Sequence, residues 1–249
     1  AENDRVNLQS DIETLRRSLN DYEINRFRDI GKDAAAALGE AMLDIESDMS
    51  EVEVAGEIAE ELWERDLEPV VLLVAGESRI KQFRHPLPTT KPIGSIAMGV
   101  ICARRKGLIA SVTRLVHFGE ASTELNETYL RLLNVEAAFL DGTKVGATLA
   151  EAFKAGESEY LKQGFARDEW TKHHQGGPTG YLPRDFPAHE KTPQIIGLNS
   201  AIAWNPSAEG LKVEDTVITV PTGLEVITHD STWPSINIAG RSRPGIAIR

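Results

Sequence analysis

Two adjacent histidines are followed closely by two adjacent glycines and a proline in His173-His174-Gln175-Gly176-Gly177-Pro178-Thr179-Gly180-Tyr181. Histidine is the side chain whose charge changes near neutral pH, and glycine lets backbone approach a ligand closely, so the stretch suits a pocket wall. Inside a helix glycine and proline would cost about 1 and 3 kcal/mol, which places the stretch in a loop or at a strand end. Read alone, it fits an exposed loop with two solvated histidines equally well. Asn205-Pro206-Ser207 and Lys212-Val213-Glu214-Asp215 follow. Upstream, residues 79–89 carry Arg79, Arg84 and His85 in a basic segment of a chain whose formal charge is −11. Such a set offers imidazole acid–base catalysis, a carboxylate to orient the ring or hold a cation, and arginine forks for a carboxylate or phosphate.

The composition narrows the partners. Hydrophobic residues at 41% and charged residues at 26% are globular values, and 249 residues can build one sizeable core. The acidic balance disfavours nucleic acid and anionic membranes, and no apolar run approaches the roughly 20 residues that span a bilayer. The start of the chain is polar and acidic, unlike a signal peptide, and the single cysteine suits a reducing cytoplasm. Cys102 lies in the apolar run Met98-Gly99-Val100-Ile101-Cys102-Ala103 and reads as a buried structural thiol. His117 reads as a strand histidine with a satisfied partner, His189 and His229 as solvated loop residues, and Trp170 and Trp204 as core.

Elements must bring these groups together. Apolar residues recur at three-to-four spacing from 11 to 45, and Asn20 or Asp21 caps a helix from about 22 to 44 behind a lead-in segment. Ser50 opens a second helix over Val54, Ile58 and Leu62. Short β-branched runs at 69–75, 94–102 and 108–118 predict strands. A helix over 122–140, another over about 147–164, and strands at 201–205, 213–220 and 223–228 repeat the order. Each half reads helix, helix, strand, strand: an α+β fold with a pseudo-repeat around a central antiparallel sheet. The divisions are a lead-in at 1–20, a main domain at 21–240 and a flexible tail at 241–249.

The order and spacing of several motifs resemble the pita-bread family of aminopeptidase P, prolidase, methionine aminopeptidase and creatinase. They are Glu23-Ile24-Asn25-Arg26-Phe27-Arg28, Glu51-Val52-Glu53-Val54-Ala55, Tyr129 to Ala152, His173 to Gly180, Asn205-Pro206, and Lys212 to Val217. The resemblance covers roughly residues 10–235 and implies a curved sheet with a pseudo-twofold repeat. Peptidases of that family hold two divalent metals with two aspartates, a histidine and two glutamates. Carried across, those positions fall on Val74, at or next to His85, on Gly177, on Asn205 and on Glu214, so a single carboxylate remains.

The expected function is therefore a metal-independent hydrolase of the Xaa-Pro peptidase or creatinase type, acting on a small polar or anionic amide or guanidino compound without a cofactor. His173, His85 and Glu214 are the catalytic candidates, and Arg84, Arg184, His174, Asn205 and Arg79 the substrate-binding ones. A non-catalytic peptide- or protein-binding module is one alternative. A metallopeptidase with a site rebuilt from His85, His173 or His174, and Glu214 is the other. The expected partners are a small molecule or short peptide, with a homodimer implied by the resemblance.

Overall fold

The structure, a computed structural model, describes residues 7–249. Residues 1–6 of the lead-in lie outside the described residues; α1 (Gln9–Arg17) fills most of the remainder. Asn20 ends it, accepting a hydrogen bond from the Glu23 N–H at 3.0 Å while Glu23 accepts from the Asn20 N–H at 2.8 Å. This reciprocal cap starts α2 (Asp21–Asp44), which buries Ile24, Phe27, Ile30, Leu38 and Met42 along one stripe. Ser50 and Glu53 cap α3 (Glu51–Glu64) in the same way, turning Val54, Ile58 and Leu62 inward.

Three antiparallel strands follow: β1 (Glu68–Gly76), then the short α4 (Glu77–Ile80), then β2 (Ile96–Arg105) and β3 (Leu108–His117). Lys106 and Gly107, both at positive φ, make the two-residue turn between β2 and β3. That turn sets a register in which Cys102 faces Ser111 and Val100 faces Thr113. Because side chains alternate, the sheet serves two cores. Val74, Ala97 and Ile101 pack with α2 and α3; Leu73, Met98, Val100 and Leu115 pack with α5 (Thr123–Gly142) and α6 (Leu149–Lys162).

The second half contributes β4 (Gly176–Pro178), β5 (Ala201–Trp204), β6 (Ser207–Ala208), β7 (Leu211–Lys212), β8 (Asp215–Val220) and β9 (Gly223–Val226). β4, β5, β8 and β9 form a second four-stranded antiparallel sheet, while β6 and β7 make a small hairpin. The two larger sheets meet where the Thr113 N–H donates to the Glu214 carbonyl at 3.0 Å and the Ser111 N–H donates to Thr216 Oγ1 at 2.8 Å. This junction places Glu214 over the site-facing side of β2 and β3. The α+β class and the two-part helix-and-sheet plan agree with the sequence reading. No helix among the described residues is long and apolar enough to cross a membrane.

The C-terminal segment is not the flexible tail expected at 241–249. β10 (Ser235–Ile238) and β11 (Arg241–Pro244) form a hairpin, and β12 (Ala247–Ile248) runs parallel to β3. Arg243 is 1% exposed; it pairs with Glu136 on α5 and at 2.7 Å with Asp215 on β8. An arginine and a proline beside glycines read locally as a solvated end, but two buried carboxylates more than 25 residues away in sequence draw Arg243 inward.

Candidate functional site

Glu214 is the centre of the polar cluster. It is 2% exposed, and its carboxylate accepts from Arg184 Nη2 at 2.5 Å, Lys212 Nζ at 2.8 Å and Thr113 Oγ1 at 3.0 Å. Burial alone would raise this carboxyl, but Lys212 and Arg184 outweigh it and hold it at about 2. The carboxylate is therefore saturated by two cations and a hydroxyl, and it hydrogen-bonds none of the histidines. The expected role of Glu214 as the orienting partner of an imidazole is corrected on this point.

The three histidines do converge. His85 leaves the segment between α4 and β2, while His173 and His174 follow a 3-10 turn, Glu169–Lys172, and lead into β4. Arg84 ties the two segments together through Glu169 at 2.6 Å, and Lys172 takes the other Glu169 oxygen, also at 2.6 Å. The Nε2 atoms of His85 and His173 lie 3.0 Å apart, and the His174 ring stacks on His173 with centroids 4.4 Å apart. His85 is exposed, His174 half-buried and His173 buried. Burial first, and Lys212 second, push His173 down to about 2; burial and then Arg184 push His174 down to about 4. His85 is also lowered by burial and Lys212. All three imidazoles are consequently neutral near pH 7.

Of the remaining candidates, Arg184 and Asn205 lie in or beside the cluster. Arg184 also donates to Ser111 Oγ at 3.2 Å, and Asn205 is buried with Oδ1 unpartnered and its N–H on the Gln175 carbonyl at 3.0 Å. Arg79 is corrected: its guanidinium pairs with buried Glu51 and donates to the Leu87 carbonyl at 3.0 Å, fastening the 87–89 loop. Arg84 is committed to Glu169 and positions the histidines. Lys212, Ser111 and Thr113 were missed by sequence reasoning. The single available signal was the even spacing of Ser111 and Thr113 along a strand, which is common to any half-polar strand.

Val74 is also misplaced as an aspartate position. Its side chain faces α2 and α3, on the far side of the sheet from Glu214. Carboxylates sharing metals with Glu214 would have to project from the near face, where Cys102 and Ser111 stand, their side chains 3.3 Å apart. Burial and Glu214 push the Cys102 thiol up, so it stays protonated, as its structural reading implied. At Gly177, φ is +152° and a Cβ would meet the Phe186 carbonyl oxygen at 2.5 Å, so this backbone excludes a side chain where the resemblance puts a metal histidine.

The profile of metallopeptidase family M24 matches residues 25–231. The chain belongs to this family. An uncharacterized peptidase of Staphylococcus aureus (strain MW2) is 25% identical over 127 residues, which is 48% of this chain and 35% of that protein, so this chain spans about a third of the curated relative. The X-Pro aminopeptidase of Thermotoga maritima superposes with a TM-score of 0.82 at 19% identity over 96% of this chain and 67% of that one. Dipeptidase PepE of Mycobacterium ulcerans gives 0.83 at 15% identity over 98% and 64%. At these identities the two structures establish the shared fold. Within the M24 fold of this chain, Trp204 belongs to the core, stacking on Phe139 and donating to Thr143 Oγ1 at 2.9 Å, and His117 Nδ1 contacts the Gly119 carbonyl at 3.1 Å.

The M24 site has a pH signature in stability. In the unfolded chain His173 gains a proton below its ordinary 6.5 and Glu214 below 4.5, while in the folded chain neither does until about 2. The unfolded state therefore binds more protons as pH falls, and stability, fully present above about 6.5, declines by up to about 1.4 kcal/mol per pH unit for each such group. Urea midpoints measured from about pH 7 to about pH 5 are expected to fall, and His173→Gln to flatten that decline. A midpoint that holds level over this range in the parent chain contradicts the assignment.

Proposed function

We propose that this chain is a hydrolase of the Xaa-Pro peptidase or creatinase type that works without the family's pair of divalent metals, on a small anionic amide or short peptide. The close approach of His85 and His173 Nε2, 3.0 Å apart and beside Lys212, carries this reading. The ligand positions support metal independence. Cys102, Ser111, Gly177 and Asn205 supply no carboxylate, and Lys212 and Arg184 bring formal charges of +2 to the one carboxylate left, on Glu214. Two dications need far more negative charge than that.

In this reading His85 is the general acid/base. It is exposed to substrate and its basicity is less depressed than that of His173, which at about 2 is too weak a base for work near neutral pH. His173 holds the His85 ring, and His85 takes a proton from the attacking water and returns it to the leaving amine. Arg184, Lys212 and Glu214 together carry a formal charge of +1, which suits a carboxylate-bearing substrate and a developing oxyanion. A guanidino compound fits less well, because Glu214 has no free oxygen to receive a cation. The saturation of Glu214 also favours a second reading, a peptide-binding module without turnover.

A panel of Xaa-Pro dipeptides, N-acyl amino acids and creatine, incubated with the protein in excess chelator and followed by mass spectrometry, separates the two. Turnover of an anionic amide is the expected result. Binding of such compounds with no product from any of them supports the module and refutes the hydrolase.

A further inference from the structure

We propose that His85, His173 and His174 form a site for one divalent transition-metal ion of the zinc or cobalt kind, built from residues other than those through which the family's peptidases hold their metals. One potential ligand atom from each ring lies within 4.8 Å of the others. The 3.0 Å between the Nε2 atoms of His85 and His173 is close to the roughly 3.3 Å that two Zn–N bonds of about 2.0–2.1 Å subtend at a tetrahedral ion.

Hydrogen bonding does not explain the cluster. Among its six ring nitrogens the His85–His173 contact is the one hydrogen bond recorded, and Nδ1 of both His173 and His174 is buried with no partner although His173 is 6% exposed. The unpartnered, buried Nδ1 of His174 on a ring that already converges is the pattern expected where an ion completes the site, while Nδ1 of His173, whose Nε2 faces His85, is left to a water. Exposed His85 supplies the entry path, and the Arg84–Glu169–Lys172 link holds the two segments in place before any ion arrives.

The charges facing the rings decide which ion fits. Lys212, Arg184 and Glu214 sum to +1 on the interior side, and no free carboxylate among them offers hard oxygen ligands. Mg2+ and Ca2+, which need such oxygens, are excluded, whereas neutral imidazoles alone hold Zn2+, Co2+ or Cu2+. The site stands whether or not the hydrolase reading does. Where both hold, an ion on His85 Nε2 replaces the contact with His173 and leaves the ring proton on Nδ1, so no lone pair remains to accept a proton and metal loading opposes turnover.

The test uses the full chain, stripped with chelator and then titrated calorimetrically with Zn2+ and spectroscopically with Co2+. One ion per chain is expected, with visible Co2+ bands, no heat from Mg2+, and affinity weakened about tenfold or more in His85→Ala and in His174→Ala. Both of those residues are at least partly exposed, so the variants keep the fold. No binding up to about 1 mM, or affinity unchanged in both variants, overturns the site. Because the readouts are heat and absorbance, absence of turnover on the substrate panel leaves them unaffected, and the two failures are distinguishable.

Discussion

Arg243→Ala is expected to lower the stability of this protein by about 3–5 kcal/mol, the range seen when one partner of a buried ion pair is removed. Arg243 Nε donates to Glu136 at 2.7 Å and Nη2 reaches Asp215 at 2.7 Å, while Arg114 contacts the other Asp215 oxygen at 3.2 Å. Without Arg243, buried Glu136 on α5 loses its hydrogen-bonded cation and keeps only the charge of Arg114, which makes no hydrogen bond to it, and burial already pushes its carboxyl up. The loss extends beyond one ion pair, because Pro244 beside it accepts from Tyr129 Oη at 2.9 Å and Gly245 from Trp233 Nε1 at 2.9 Å. Urea denaturation checks the value. A change below about 1 kcal/mol, the size of a surface ion pair, would show that the segment is not held as described.

The second large effect concerns chemistry. With a substrate from the panel in hand, His85→Ala is expected to reduce kcat/KM by about 10²–10⁴-fold, the usual contribution of a positioned acid/base, while leaving the urea midpoint near that of the parent chain. Stability is spared because the His85 side chain is exposed. His173→Gln, by contrast, is expected to change both activity and stability, since it is buried and supports the His85 ring. Unchanged kcat/KM in His85→Ala would remove this residue from the mechanism and refute its assignment as the general acid/base.

These two residues mark opposite limits of what a sequence discloses. His85 was legible as a candidate because its type and its basic surroundings announce chemistry. Arg243 was not, because nothing in Gly240-Arg241-Ser242-Arg243-Pro244 distinguishes a solvated arginine from one aimed at carboxylates 107 and 28 residues away. Within the site the same limit applies to Arg79 and Arg84. Both look like anion-gripping residues, and both are spent on buried glutamates, Glu51 and Glu169, whose pairing no local pattern reveals. Val74 was assigned to the wrong role for a related reason. A one-residue difference in register moves a strand side chain to the opposite face, and register is set by pairing between β1, β2 and β3.

By itself the sequence determined whatever depends on contacts a few residues apart. The caps at Asn20 and Ser50 are three-residue interactions, the helix stripes have a period of 3.6, and Gly176-Gly177-Pro178 bars a helix wherever it falls. Together with motif order these were enough for the α+β class and the family. Tertiary structure alone decided how the polar groups pair. Glu214 meets Arg184 and Thr113 across 30 and 101 residues, and His85 meets His173 across 88. In a buried site the electrostatic state of each group is set by which charges stand within a few ångströms of it. That proximity is a property of the folded sheets, so a carboxylate that the sequence offers to an imidazole or a cation is ion-paired to Arg184 and Lys212 in the structure, and His173 and His174, which fit a pocket wall and a solvated loop equally well, join His85 in a neutral, converging trio.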